Sequence, residues 1–375
     1  MSSVVVAVDR SRVTDRQQVK SPVMIVGNFL SASQGTRSVC EDLAVRLADR
    51  GWSIQTTSSK LGRLSRLADM LSTIWRSRHQ FSVAQVDVYS GPAFLWAEAV
   101  CGLLHLLKKP YLLTLHGGNL PTFARRWPWR IRRLLRSAET VTTPSRYLLD
   151  QMQSYRNELQ LLPNSIDVGL YRFTLRSNPQ PRLIWLRSFH EIYNPALAVR
   201  VMASLMNEFP EMTLLMVGPD RGDGSQQAAQ LLAEELGVAS RVNIVGKVAK
   251  SEVSQWLNRG DIFLNTTNFD NTPVSVVEAM ACGLCVVSTN VGGLPYLLEH
   301  GCNALLVPPD DPVAMADAIR RILTQTGMGA QLSQQARNSA EQFDWSVTLP
   351  EWDRLLTAAA ETGCNSTIPY SAQLS

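Results

Sequence analysis

The residues whose types and spacing best suit chemistry lie in one stretch, Phe269–Thr289. The run Ile262-Phe-Leu-Asn265 reads as a buried strand, and a polar loop follows it. Thr272 is a good helix N-cap and Pro273 suits the first helical position. Gly283 is a natural stop for that helix. A strand–loop–helix of this kind turns the helix N-terminus, at Thr272-Pro273-Val274, toward the carboxyl edge of the sheet. Its free N–H groups are a ready site for a diphosphate. Asp270 falls in the loop, where a carboxylate can reach out to a substrate. Glu278 falls about one and a half turns into the helix. A carboxylate there can accept two hydroxyls in a fork, which suits the diol of a ribose or a hexose. Taken alone, Asp270 reads better as a helix cap and Glu278 as a buried, satisfied carboxylate; the joint pattern carries the expectation.

Three other segments bear on chemistry. His116-Gly-Gly-Asn119 follows the expected strand Tyr111–Leu115, so His116 is either a polar ligand for a sugar hydroxyl or a packing residue in a turn. Gly27–Arg37 follows the first strand but is not G-x-G-x-x-G, which disfavours a dinucleotide-binding dehydrogenase. Cys282-Gly-Leu-Cys285 is a single C-x2-C without a partner pair, which reads as two packed thiols rather than a zinc site. No Asp-x-Asp cluster is present, so no metal is implied.

The elements that must position these groups alternate along the chain. Expected strands at Val23–Val26, Val86–Tyr89, Tyr111–Leu115, Thr140–Thr143 and Gln160–Leu162 are separated by segments of helical period such as Ser38–Arg50 and Pro92–Leu107. The pattern pauses at the polar Phe173–Pro181. It restarts with strands at Leu183–Leu186, Thr213–Val217, Val242–Val245, Ile262–Asn265 and Cys285–Ser288. Two halves of this kind predict two Rossmann-like, doubly wound α/β domains, over 22–174 and 182–345. Ligands then sit beyond the strand carboxyl ends, in a cleft between the halves. Residues 346–362 are expected as a final helix crossing back to the first domain, with a loose arm at 1–21 and a tail at 363–375.

Bulk properties narrow the function. With 375 residues, 45% apolar and 18% charged, the chain can bury two cores. A formal charge of +4 is mild for a nucleic-acid binder, and none is expected as a partner. The six scattered cysteines fit a reduced, cytoplasmic setting, and no run is long enough to span a bilayer. Leu120–Ser137 holds six arginines, two tryptophans and no acid. It is either a surface helix packing its apolar side on the sheet or a basic amphipathic element on the inner face of a membrane.

The pattern Asp270-x7-Glu278-Ala-Met-Ala-x-Gly283, followed by Val286-Val-Ser-Thr289 and Gly292-Gly293, resembles the donor-site signature of the retaining glycosyltransferases of family four, which have the GT-B fold. The likeness runs from about Val23 to Trp352. It implies a nucleotide-sugar donor, UDP- or GDP-linked, no further cofactor, and a glycan or lipid-linked acceptor in cell-surface polysaccharide or glycolipid synthesis. By the same resemblance Glu278 holds the nucleotide ribose and Asp270, where the family usually has Glu, contacts the transferred sugar. His116 lies beside that sugar, and Gly35 and Thr36 belong to a glycine loop near the phosphates. Arg187 matches the family's phosphate-binding arginine. The phosphate-binding lysine is replaced within Tyr193-Asn194-Pro195, where Asn194 offers a hydrogen bond in its stead. A sugar-nucleotide epimerase or phosphorylase on the same plan, and a non-catalytic partner with the same fold, remain alternatives.

Overall fold

The computed structural model describes residues 20–34 and 38–365. Gly35 and Thr36 lie outside the described residues, as do most of the expected arm and tail. The chain divides into two units, one running to Pro163 and resuming at Ser346, the other Asn164–Trp345.

In the first unit β1 (Lys20–Val26), β2 (Trp52–Thr57), β3 (Val83–Val88), β4 (Tyr111–Leu115), β5 (Thr140–Thr143) and β6 (Leu159–Leu161) form a parallel sheet in the order β2-β1-β3-β4-β5-β6. In the second, β7 (Arg182–Leu186), β8 (Thr213–Val217), β9 (Val242–Gly246), β10 (Ile262–Asn265), β11 (Cys285–Thr289) and β12 (Leu305–Val307) run β12-β11-β10-β7-β8-β9. Both orders reverse direction once, between β1 and β3 and between β7 and β10. Right-handed crossovers then place helices on both faces of each sheet. The central strands are buried Val, Ile and Leu runs, as parallel strands covered on both sides require. The strands β2 and β12, both at sheet edges, escape the sequence pattern for different reasons. β2 is largely polar and only partly buried, and β12 has three residues.

The units divide earlier than the pause at Phe173–Pro181 implies. Residues 164–181 are fastened to the second unit. Ile166 N–H donates to the Phe343 carbonyl at 2.9 Å, and Thr174 N–H to the Cys282 carbonyl at 3.2 Å. Arg176, 5% exposed, donates to Asp261 and to the carbonyls of Cys282 and Gly260. A buried guanidinium with all these partners costs far less to keep than an unpaired one, so the segment stays put. The helix Trp345–Asn365 belongs mainly to the first unit, where Asp353 accepts from Lys20 Nζ at 2.8 Å and Trp52 Nε1 at 2.6 Å.

Leu120–Arg126 and Pro128–Arg136 are two helices hinged at Trp127. Ile131, Leu134 and Leu135 are buried in the unit's own core, so the apolar side of the second helix is already used. Arg130 is paired with Glu98. What remains outside is Arg125, Arg126, Arg132, Arg133 and Arg136, with Trp127 38% and Trp129 61% exposed. Among the described residues no helix is long and apolar enough to cross a membrane. Cys282 and Cys285 are buried, and their thiols contact different partners, Ser254 and the Gly329 carbonyl. Burial pushes the first thiol up to about 11 and the second to about 12, which makes both poor nucleophiles.

Candidate active site

The second sheet reverses its strand order between β7 and β10, and Ile262 of β10 lies between Leu183 of β7 and Cys285 of β11. Carboxyl ends at such a switch point are where open α/β sheets bind ligands. The loops leaving these three strands carry Arg187, Asp270 and Gly292-Gly293 respectively.

Buried polar contacts hold these loops in register. Trp185 Nε1 donates to Thr266 Oγ1 at 2.9 Å, and that hydroxyl donates to the Tyr193 carbonyl at 2.7 Å. Gly293 N–H donates to the Asp270 carbonyl at 2.9 Å. A Cβ on Gly292 would stand 2.0 Å from the Asp270 carbonyl oxygen, and one on Gly293 2.0 Å from that of Asn271. Gly292 also has φ +56°. Only glycines let the third loop cross the second this closely, which is the physical content of that part of the motif.

Arg187 and Asp270, separate in the sequence reading, are ion-paired through Nη2 and Oδ2. The guanidinium also reaches Ser275 Oγ at 3.4 Å and lies 3.9 Å from the centre of the Tyr193 ring. Its Nε is buried and has no partner. Burial pushes the Asp270 carboxyl above its ordinary range, against the opposing pull of Arg187 and of the Asn271 N–H.

The helix spans Val274–Ala281, so Thr272 is not its cap. Pro273 takes that position with ψ 118°, and no side chain caps the end. The first amides of the helix have no acceptor within it, and the end carries partial positive charge. Glu278 is 3% exposed on this helix. Its Oε1 accepts from the Tyr171 hydroxyl at 2.7 Å and pairs with Lys250.

Asn194 has a different task from the one expected of it. It adopts a left-handed conformation, φ 45° and ψ 60°, at the cap of the helix Pro195–Leu205. Its Oδ1 accepts from Leu197 N–H at 3.3 Å and its Nδ2 donates to Asp310 at 3.1 Å. Both ends of the amide are therefore committed to holding the loop.

In the first unit His116 leaves the end of β4 and is 6% exposed. Its ring stacks on Tyr89, 5.1 Å between centroids, and its Nε2 lies 3.1 Å from Asp87 Oδ1. A proton on Nε2 can be donated to this carboxylate, and in the neutral ring that tautomer offers Nδ1 as an acceptor. Asp87 Oδ2 is buried without a partner, beside a small cavity lined by Gly27, Asn28, Tyr89 and Trp96.

Lys250, Tyr171, Ser275 and Asp87 were not singled out from the sequence. Only Asp87 had a local signal there, as an acid at the carboxyl end of a buried parallel strand. Lys250 and Tyr171 come from a loop and a linker far along the chain from Glu278, and only folding joins them to it.

The family model described as glycosyl transferases group 1 matches residues 180–325, and that described as glycosyltransferase family 4 matches residues 34–170. A D-inositol 3-phosphate glycosyltransferase of Thermobispora bispora is 23% identical over 336 residues, 82% of this chain and 78% of that protein. One from Corynebacterium jeikeium is 30% identical over 158 residues, 41% of this chain and 38% of that protein. Among solved structures, a sucrose-phosphate synthase from Thermosynechococcus elongatus has a TM-score of 0.76 at 18% identity, over 91% of this chain and 100% of that one. Anabaena HepE in complex with UDP and glucose has a TM-score of 0.71 at 16% identity, over 90% of this chain and 100% of that one. The two family models take in most of both sheets, and the chain belongs to the family 4, group 1 glycosyltransferases, with the two Rossmann-like units of the GT-B fold.

Proposed function

We propose that the chain moves a hexose-type sugar from a UDP- or GDP-sugar to a glycan or lipid-linked acceptor, with retention at the anomeric carbon, in cell-surface polysaccharide or glycolipid synthesis. The observation that supports it most is the clustering, on and against one short helix, of three groups a nucleotide sugar needs. An uncapped N-terminus and Arg187 suit the diphosphate, and Glu278 suits the ribose. Positive charge fixed beside the departing diphosphate stabilises the negative charge that grows there in the transition state. Asp270 is assigned to the transferred sugar, held in place by its ion pair.

A thermal-shift screen against UDP-, GDP- and ADP-sugars tests the donor. At a hundred times its Kd the correct donor stabilises the fold by about 2.7 kcal/mol. No shift with any of them would overturn the reading. The product's anomeric configuration tests retention, and donor turnover without acceptor separates transfer from epimerisation.

His116 in the first unit is assigned to a sugar hydroxyl through Nδ1. His116→Ala is expected to lower kcat about tenfold, the worth of one such hydrogen bond, with nucleotide affinity unchanged. A weaker nucleotide Kd with normal kcat would place His116 elsewhere in the chemistry.

The arginines and tryptophans left exposed over 120–137 are assigned to an anionic lipid surface, which would bring a lipid-linked acceptor within reach. Each basic residue near such a surface contributes about 1 kcal/mol. Arg132→Glu with Arg133→Glu should therefore release the protein from phosphatidylglycerol vesicles in flotation assays. Equal flotation of the variant, or equal binding to neutral vesicles, would argue against this surface.

A further inference from the structure

Glu278 presents a contradiction that Lys250 resolves. A carboxylate oxygen has two acceptor sites, and both donors recorded on Glu278 use the same one, Oε1: Tyr171 and Lys250. A ribose diol gripped in a fork needs acceptor sites on both oxygens, so one resident donor has to leave. Tyr171 is 6% exposed, whereas the Lys250 side chain is 51% exposed on a flexible stem. Lys250 is the one free to move.

The geometry also shows where it can go. Ser275 and Glu278 lie three positions apart on one face of the helix, about 4.5 Å along its axis. Arg187 contacts Ser275, Lys250 contacts Glu278, and the uncapped N-terminus lies just beyond Ser275. The two cations thus contact side chains about one turn apart on the same helix, and the Arg187 Nε is still without a partner. The loop at Tyr193-Asn194-Pro195 adds no charge, because it has no basic residue and its Asn194 is locked as a cap.

We propose that Lys250 is the second cation for the donor diphosphate, paired with Glu278 in this structure and passed to a phosphate oxygen when ribose hydroxyls take over the carboxylate. This rests on the donor reading above. No bond is made or broken; one ion pair is exchanged for another.

The test is calorimetry on wild-type protein, Lys250→Met and Lys250→Arg. The probes are whichever of UDP and GDP stabilises the wild type, and the matching nucleoside. Lys250→Met is expected to weaken the diphosphate about 10- to 100-fold, as loss of a charged hydrogen bond does, while nucleoside affinity is unchanged or improves because Glu278 is released. Lys250→Arg should keep most of the diphosphate affinity. Unchanged diphosphate binding in Lys250→Met, or equal weakening of diphosphate and nucleoside, overturns the proposal and leaves the donor reading intact. Failure of the wild type to bind either diphosphate overturns both. Lys250→Met also takes the cation from the buried Glu278 carboxylate, so its melting temperature is expected to fall, and all affinities are measured well below it.

Discussion

Glu278→Ala leaves nucleotide binding too weak for calorimetry, a loss of about a thousandfold. The size follows from the two hydrogen bonds a carboxylate offers the ribose, each worth roughly 1.5–3 kcal/mol when one partner is charged. The substitution also strands the Tyr171 hydroxyl, which is buried and donates to this acid at 2.7 Å. An unsatisfied buried hydroxyl costs about 1–3 kcal/mol, so the melting temperature should fall by several degrees. Glu278→Gln separates the two effects. It retains an acceptor for Tyr171 and nearly the same volume, and it should lose affinity through charge with little loss of stability. If Glu278→Ala binds the donor as well as wild type does, the ribose assignment is wrong.

The second large effect belongs to Arg187. Arg187→Met should lower kcat by about a hundred- to a thousandfold, as removal of a preorganised electrostatic donor does elsewhere, with a smaller loss in donor affinity. Its partner complicates the result. Asp270 is 15% exposed and already has its carboxyl raised by burial, and Arg187 is what pulls it back down. Without that cation the folded-state pKa of Asp270 rises further above its unfolded value. A raised carboxyl contributes against stability as pH climbs from the unfolded pKa through the folded one. The stability deficit of Arg187→Met should therefore shrink as pH falls into the range where Asp270 takes its proton. The double variant Arg187→Met, Asp270→Asn should recover stability at neutral pH without recovering turnover. Recovery of turnover in the double variant would mean that the stranded carboxylate, not the missing cation, caused the loss.

The structure alters the catalytic half of the site more than the nucleotide half. The family resemblance implies three separate contacts with the donor, from Arg187, Asp270 and Asn194. In the fold the first two neutralise each other, and the third caps the helix Pro195–Leu205. The shift in helix start from Thr272 to Val274 has a related cause. Pro273 keeps an extended ψ of 118°, so the cap position falls on a residue whose side chain cannot accept a hydrogen bond. That leaves the N-terminus open, which favours an anion more than a capped end would.

Much of this protein is legible from local pattern. Alternating buried strands and helical periods determine two doubly wound sheets, because a parallel strand covered on both faces must be apolar throughout. Gly283, at φ +76°, ends its helix where the sequence places the stop. Glu278 lies within the helix Val274–Ala281, as the spacing from the loop implies. Three things were decided only by the tertiary structure. The strand β2 is largely polar and takes its place by pairing with β1, and β12, though apolar, has only three residues, too few to show a period. The boundary at Pro163 depends on where Arg176 and Tyr171 find partners in the second unit. The pairing of Lys250 with Glu278 depends on a loop after β9 meeting a helix after β10. Periodicity reports how each element faces its nearest core, and so it carries the fold. A charge in a loop takes its partner from whichever strand end the topology sets beside it, and no local pattern encodes that neighbour.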